Sequence, residues 1–211
     1  MATLEEEVRF WTTDPGAIRL AQLCDQLKLR VDNCCGENPN DVAAPPAPSA
    51  GASESTITSG DTGNGTMLLT ADANDNDGLN CQLLGEAFKL ESGKPLYFGA
   101  RIQSMSEATQ SDFFIGLAIT DTDVLGGVTD SIGFKKVDGS ADLTFDVNKN
   151  STATNVAGLK TLAASTAYIL EFYYDGTRLE VFVDGVSVAT PAITNLPDDE
   201  ELRVTVQFLA G

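Results

Sequence analysis

The chain contains no histidine, and that absence limits the chemistry its other side chains can do. Without an imidazole there is no ordinary general base near neutral pH, no ligand of the commonest metal-binding type and no Ser-His-Asp arrangement. A nucleophilic cysteine would lack its customary partner. The four cysteines, Cys24, Cys34, Cys35 and Cys81, show neither a disulfide framework nor the Cys-x-x-Cys spacing of a zinc site. Carboxylates are plentiful, 31 in all, and glycoside hydrolysis asks only for two of them, roughly 5–10 Å apart in a cleft. Most of these acids fall at turn positions, among them Asp138, Asp175, Asp184 and the run Asp198-Asp199-Glu200-Glu201. Glu171 and Glu180 face away from the apolar sides of their strands, across a hairpin from each other. No catalytic residue is assigned, and the chain is expected not to be an enzyme.

Two further groups are candidates for binding. Asp72-Ala-Asn-Asp-Asn-Asp-Gly78 clusters oxygen ligands of the kind calcium prefers. Aligned as an EF-hand loop with Gly78 at the sixth position, it puts Ala73 first and Leu84 where a bidentate Glu is required. Asn, Asp and Gly are also turn residues for their own local reasons. The reading is a polar turn, with Asp72, Asn74, Asp75 and Asp77 as the only metal-ligand candidates and no cofactor expected. Tyr97, Phe114, Tyr173 and Phe182 fall opposite the core-facing residues of their strands. There they would stack on sugar rings, lie in a partly covered face or pack between subunits.

The elements that must position these groups are strands. Tyr168–Val188 alternates apolar and polar residues around Asp175-Gly176, which predicts two strands joined by a two-residue turn; Asp184-Gly185 turns the chain again. Leu96, Phe98, Ala100 and Ile102 alternate inward, as do Phe113, Ile115, Leu117 and Ile119. Tyr168, Leu170, Phe172 and Tyr174 share one face, as do Leu179, Val181 and Val183, and Val204, Val206 and Phe208 close the series. Shorter strands are predicted around Met67–Thr70, Asn80–Leu90, Ser131–Val137 and Asp142–Val147. No helix is predicted beyond residue 55. The fold class is mainly β: two stacked antiparallel sheets over residues 54–211, each with one apolar face to bury.

Residues 1–36 read differently. Thr3 with Glu6 has capping-box spacing, and Asp14-Pro15 starts a second helix carrying Ile18, Ala21, Leu23 and Leu27. Short helices of this kind need a docking partner. A Pro/Ala/Ser-rich linker follows over 37–53, so the arm is expected to grip a neighbouring molecule through Phe10, Trp11, Ile18 and Leu23.

The net charge is −18, with −4 in residues 1–50 and −14 in residues 51–211. A field of that sign repels phosphate backbones and anionic lipid, so neither nucleic acid nor membrane is an expected partner. The N-terminus lacks a signal-peptide pattern, and no apolar run reaches the roughly 18 residues of a membrane span. Synthesis and assembly are expected in the cytoplasm.

Phe172-Tyr-Tyr-Asp-Gly-Thr-Arg-Leu-Glu-Val-Phe-Val-Asp-Gly-Val186 resembles the hairpin of laminin-G and concanavalin A-like lectin jelly rolls. Three further stretches, Ser111–Asp123, Gly133–Gly139 and Leu196–Leu202, are similar to β-sandwich structural proteins of tailed bacteriophages, including capsid decoration (cement) proteins. The resemblance implies a place on the virion surface, with the major capsid protein as partner and homotrimers as the form, and carries over no ligand residue. The alternative it leaves is a carbohydrate-binding, lectin-like module of a phage surface or tail appendage, with a glycan as ligand. Lectin-like jelly rolls usually end in a strand that pairs near the N-terminal one, whereas this sequence ends at Phe208-Leu-Ala-Gly211. Either a further strand is missing, or the sheet edge is covered by the N-terminal segment or a neighbour.

Overall fold

The computed structural model describes residues 42–43, 56–60, 66–71, 75–103 and 107–211. The helical arm and most of the linker therefore lie outside the described residues. The larger of two compact units, residues 42–56 and 69–211, holds a sandwich; of the other unit the described residues are 57–60 and 66–68. β2 (Thr56–Gly60) and β3 (Thr66–Thr70) form a two-stranded sheet of their own.

One layer of the sandwich has seven strands. They are β1 (Val42–Ala43), β4 (Gly78–Leu83), β13 (Arg203–Ala210), β6 (Ser111–Ala118), β7 (Ser131–Lys136), β8 (Asp142–Lys149) and β9 (Thr152–Thr161), in that spatial order. The other layer has four, in the order β12 (Val186–Ala189), β11 (Leu179–Val183), β10 (Ala167–Tyr174) and β5 (Leu96–Gln103). Every pairing registered within these two sheets is antiparallel.

The core is what the alternation predicts. Phe113, Ile115, Leu117, Ile132, Phe134, Phe145 and Val147 of the larger sheet face Phe98, Leu170, Phe172, Leu179 and Val181 of the smaller one. Phe172 clasps the layers: its ring stacks on Phe98 at 5.1 Å and meets Phe145 of the opposite sheet edge-on at 5.5 Å. The last strand, β13, pairs with β4 on one side and β6 on the other. β1 pairs along part of the outer edge of β4.

Several local expectations are corrected. Tyr174 pairs with Leu179, so Asp175–Arg178 is a four-residue loop rather than a two-residue turn. The reason is the Asp175 carboxylate, whose Oδ1 accepts from the Thr177 amide and hydroxyl and from the Arg178 amide and organises the wider loop. These bonds hold its pKa below the ordinary carboxylate value. The two-residue turn is Asp184-Gly185, with φ of 54° and 73° and Val183 paired to Val186. Within the expected strand Asn80–Leu90, pairing stops at Leu83, and Phe88 makes only an isolated bridge to Leu202. Val42–Ala43 adds a short strand where a linker was expected.

A ten-residue strand, β9, lies where none was predicted, because Thr152–Thr161 has almost no apolar alternation to announce an edge strand. One helical turn, α1 (Val124–Gly127), is also present beyond residue 55, with the Asp123 carboxylate capping the Gly126 amide at 3.1 Å.

Candidate functional site

The outer face of the seven-stranded sheet carries a row of neutral polar and small residues. Register places Gln82, Thr205, Gly116, Gly133, Asp146 and Asn155 side by side across β4, β13, β6, β7, β8 and β9. The next row reads Asn80, Gln207, Phe114, Lys135 and Thr144. Period-2 alternation dictates both rows, because each strand's aliphatic and aromatic partners point to the core.

Half of this face is covered by residues 119–130, which include α1. Val124 and Val128 of that segment pack on Phe114 and Ala118. Side-chain amides tie its backbone down. Gln82 donates to the Ile119 carbonyl at 2.8 Å and accepts from the Asp121 amide at 3.0 Å; Asn80 donates to the Asp121 carbonyl at 2.8 Å. Gln207 accepts from the Leu125 amide and donates to Asp123 Oδ1. A polar sheet face can be buried here because the segment above it has backbone groups to pair.

The other half, over β7–β9, presents Lys135, Thr144, Asp146, Asn148 and Asn155. Asp146 is only 8% exposed. Its carboxylate accepts from Asn155 Nδ2, yet burial pushes its pKa above the ordinary carboxylate value, against the opposing pull of the Lys135 ammonium. A buried carboxyl with raised proton affinity in mid-face is a group that hydroxyl-rich ligands can hydrogen-bond. The sequence reading passed over Asp146. Its signal was an acid in mid-strand, between Phe145 and Val147, in a chain most of whose acids fall at turns.

The outer face of the four-stranded sheet carries the aromatic residues. Tyr97 pairs with Tyr173, and Glu171 with Gly99 on one side and Phe182 on the other. Glu171 and Glu180 share this face across the β10–β11 hairpin as diagonal neighbours, Glu180 pairing with Tyr173 and Glu171 with Phe182. Phe114 is instead on the larger sheet, 2% exposed under the covering segment.

Of the other expected residues, Phe10, Trp11, Ile18, Leu23, Asp72 and Asn74 lie outside the described residues. Asp75-Asn76 forms a turn with Asn76 at φ 62°, its amide bonded to the Ala210 carbonyl at 2.7 Å. Asp75 is exposed and Asp77 buried. Among the described residues no three metal-ligating side chains gather.

No protein-family model matches the sequence, and no curated protein sequence does. Solved structures do match. A glycoside hydrolase family 16 endo-glucanase from Bacteroides ovatus superimposes with a TM-score of 0.54 at 12% identity, over 74% of this chain and 72% of that one. A native glycosidic hydrolase gives 0.51 at 11% identity over 83% and 80%. A Shewanella oneidensis protein of unknown function gives 0.52 at 17% identity over 81% and 71%. The fold is shared with glycoside hydrolases.

At these identities the likeness establishes the jelly roll alone, and with it the lectin-like fold expected from the hairpin. It also corrects the expectation that the chain is not an enzyme. The same sandwich is a glucanase scaffold, and the missing histidine does not count against a reaction run by carboxylates. Among the described residues, neither the Asp146 row nor the rows beside it hold a second carboxylate. Asp142, on the same strand, is four residues away, about 13 Å at the rise of a strand.

Proposed function

We propose that this chain is a carbohydrate-recognising jelly roll that holds a glycan on the outer face of its larger sheet, over β7–β9. The observation that carries the reading is Asp146. It is a nearly buried carboxyl with raised proton affinity, on a face whose open half is lined by Lys135, Thr144, Asn148 and Asn155. Sugar hydroxyls both donate and accept, so a mixture of amides, hydroxyls, one carboxyl and one ammonium suits them better than a single-sign charge cluster does. The net charge of −18 favours neutral over anionic polymers.

A related structure is described as acting in mixed-linkage glucan use by Bacteroides ovatus, so barley mixed-linkage β-glucan is the first probe. Titration calorimetry should show binding to the wild-type chain, weakened about tenfold or more in Asp146→Asn and Asn155→Ala. Binding unchanged in both variants would refute the site.

The fold shared with a glucanase favours a second reading, glycoside hydrolysis, in which Asp146 would be the general acid and its partner carboxylate would come from outside the central rows of this face. Release of reducing ends from the same polymer, abolished in Asp146→Asn, tests it.

The setting we propose is the surface of a tailed-phage particle assembled in the host cytoplasm, as a capsid decoration protein bound to the major capsid protein and forming trimers. Its support is the sequence resemblance over 111–123, 133–139 and 196–202. Removal of residues 1–32 should abolish particle binding if Phe10, Trp11, Ile18 and Leu23 grip the shell; unchanged occupancy would discard the arm.

A further inference from the structure

The outer face of the four-stranded sheet has a construction that the larger-sheet site does not use. Tyr97 lies flat on the sheet. A Cβ built on Gly99 would sit 2.5 Å from the Tyr97 hydroxyl, 3.0 Å from Cζ and 3.2 Å from Cε1. The ring therefore occupies the space that a side chain at residue 99 would fill. Its hydroxyl donates to Glu171 Oε1 at 2.5 Å, which holds the half-buried ring over Gly99. Tyr173, directly opposite in the register, is 40% exposed, and half-buried Phe182 stands beyond Glu171. Glu180, diagonal to Glu171, accepts from Ser187 Oγ at 2.7 Å. Tyr97 and Tyr173 paired in register on β5 and β10, Phe182 on β11, and the carboxylates of Glu171 and Glu180 beside them make an aromatic floor studded with hydrogen-bond acceptors.

We propose that this face is a second, separate saccharide-binding surface, for a neutral pyranose polymer that stacks on Tyr97 and Tyr173 and donates hydroxyls to Glu171 and Glu180. Sugar rings present an apolar C–H face to a π system and hydroxyl donors at their rim, which is the complement of rings interleaved with acceptors. A second copy of this chain fits poorly. Pairing this face with itself would bring the Glu171 and Glu180 carboxylates of two chains, each of net charge −18, into one desolvated interface. Polyanionic glycans meet the same repulsion. Because this surface is on the opposite layer from Asp146, the chain would carry glycan on both outer faces and could bridge two polymer strands.

The experiment is native affinity electrophoresis of the full chain in gels containing barley β-glucan, galactomannan or alginate, with equilibrium sedimentation alongside. The variants are Tyr173→Ala, Tyr97→Phe, Gly99→Val and Asp146→Asn. A neutral polymer should retard the wild type and alginate should not. Tyr173→Ala should weaken retardation about fivefold to tenfold. Gly99→Val, which must lift the Tyr97 ring, should do the same, and Tyr97→Phe should weaken it less.

Asp146→Asn should leave this retardation component in place. Its loss there, with the ring variants unaffected, would locate all binding on the larger sheet and overturn the second surface while upholding the first. No retardation of the wild type by either neutral polymer would also overturn it. So would a Tyr173→Ala variant that turns an oligomer into a monomer without changing retardation, since that would make the face a contact between copies.

Discussion

Alanine at Gly116 or Gly133 should destabilise this protein, against the usual direction of a glycine-to-alanine change. The two glycines pair across β6 and β7 in the centre of the row that holds Asp146. Neither has positive φ, so a side chain would cost nothing in backbone strain. It would also narrow the unfolded ensemble, a gain of about 0.4–1 kcal/mol. Sterics oppose this. A Cβ at Gly133 would lie 2.6 Å from the Ile115 carbonyl oxygen and 2.8 Å from Phe114 Cζ. A Cβ at Gly116 would lie 2.6 Å from the Gly133 Cα and closer still to the Ile132 carbonyl oxygen. Restoring ordinary contact needs an opening of about 0.8 Å between two hydrogen-bonded strands, against backbone atoms that cannot swing aside.

Overpacking of this sort costs about 1–3 kcal/mol, so each variant should lose about 1–2 kcal/mol net. Because each Cβ clashes with the other glycine's strand, one opening relieves both. The double variant should therefore cost less than the sum of the single ones by at least about 0.5 kcal/mol. Urea unfolding followed by far-ultraviolet circular dichroism reads this as midpoints lowered by about 0.5–1 M, with unchanged slope. A single variant as stable as the parent, or strictly additive costs, would show that the strands do not approach as closely as argued.

Two further outcomes follow from the core and from Asp146. Phe172→Ala should cost about 3–5 kcal/mol because it opens a cavity between the layers and removes two ring contacts, whereas Phe172→Leu should cost under about 1.5 kcal/mol; thermal melts of the pair check the contrast. Asp146 binds its proton more tightly folded than unfolded, so its contribution to stability is full below the ordinary carboxylate pKa and declines as pH rises through the interval up to its raised value. Asp146→Asn should lack that decline and gain on the parent above it, and equal pH dependence of the two melts would refute the burial argument.

Which parts of this were legible in the sequence follows from what each residue's signal means. Period-2 alternation reports a difference between two faces, so it found β5, β6, β10, β11 and β13, where one face is almost wholly apolar and the other mixes polar with apolar residues. It failed at β9, whose inner face is only half-buried and carries two aliphatic residues, Val156 and Leu159, among Thr, Ala and Asn. It was silent about the covered face of the larger sheet for a related reason. Gln82, Gln207 and Asn80 are buried, but hydropathy scores them as surface, and only the segment 119–130 lying above them explains their burial. That contact joins residues 37 to 84 positions apart, which no local pattern encodes. The Asp-Gly pairs show the limit from the other side. Identical dipeptides at 175 and 184 gave different loops: the Asp175 carboxylate accepts from the Thr177 and Arg178 amides that follow it, whereas that of Asp184 accepts from the Ile169 amide on the neighbouring strand.

The placement of acids bears most directly on function. The excess negative charge sits largely on loops such as 198–201, where Lys149 and Asn150 meet part of it, and acids are sparse on the sheet faces. Those that stand within strands are few: Asp112, buried near Lys136, and Asp146 on one layer, and Glu171 and Glu180 on the other are among them. A charge distributed for solubility alone has no reason to place a carboxyl under desolvation, where each unit of raised pKa corresponds to about 1.4 kcal/mol against the ionised state. Asp146 carries such a penalty, and folding energetics alone would favour Asn there. Asp146→Asn, free of the ionisation penalty above the raised pKa and expected to be impaired in glycan recognition, is therefore the variant that separates fold from function most cleanly.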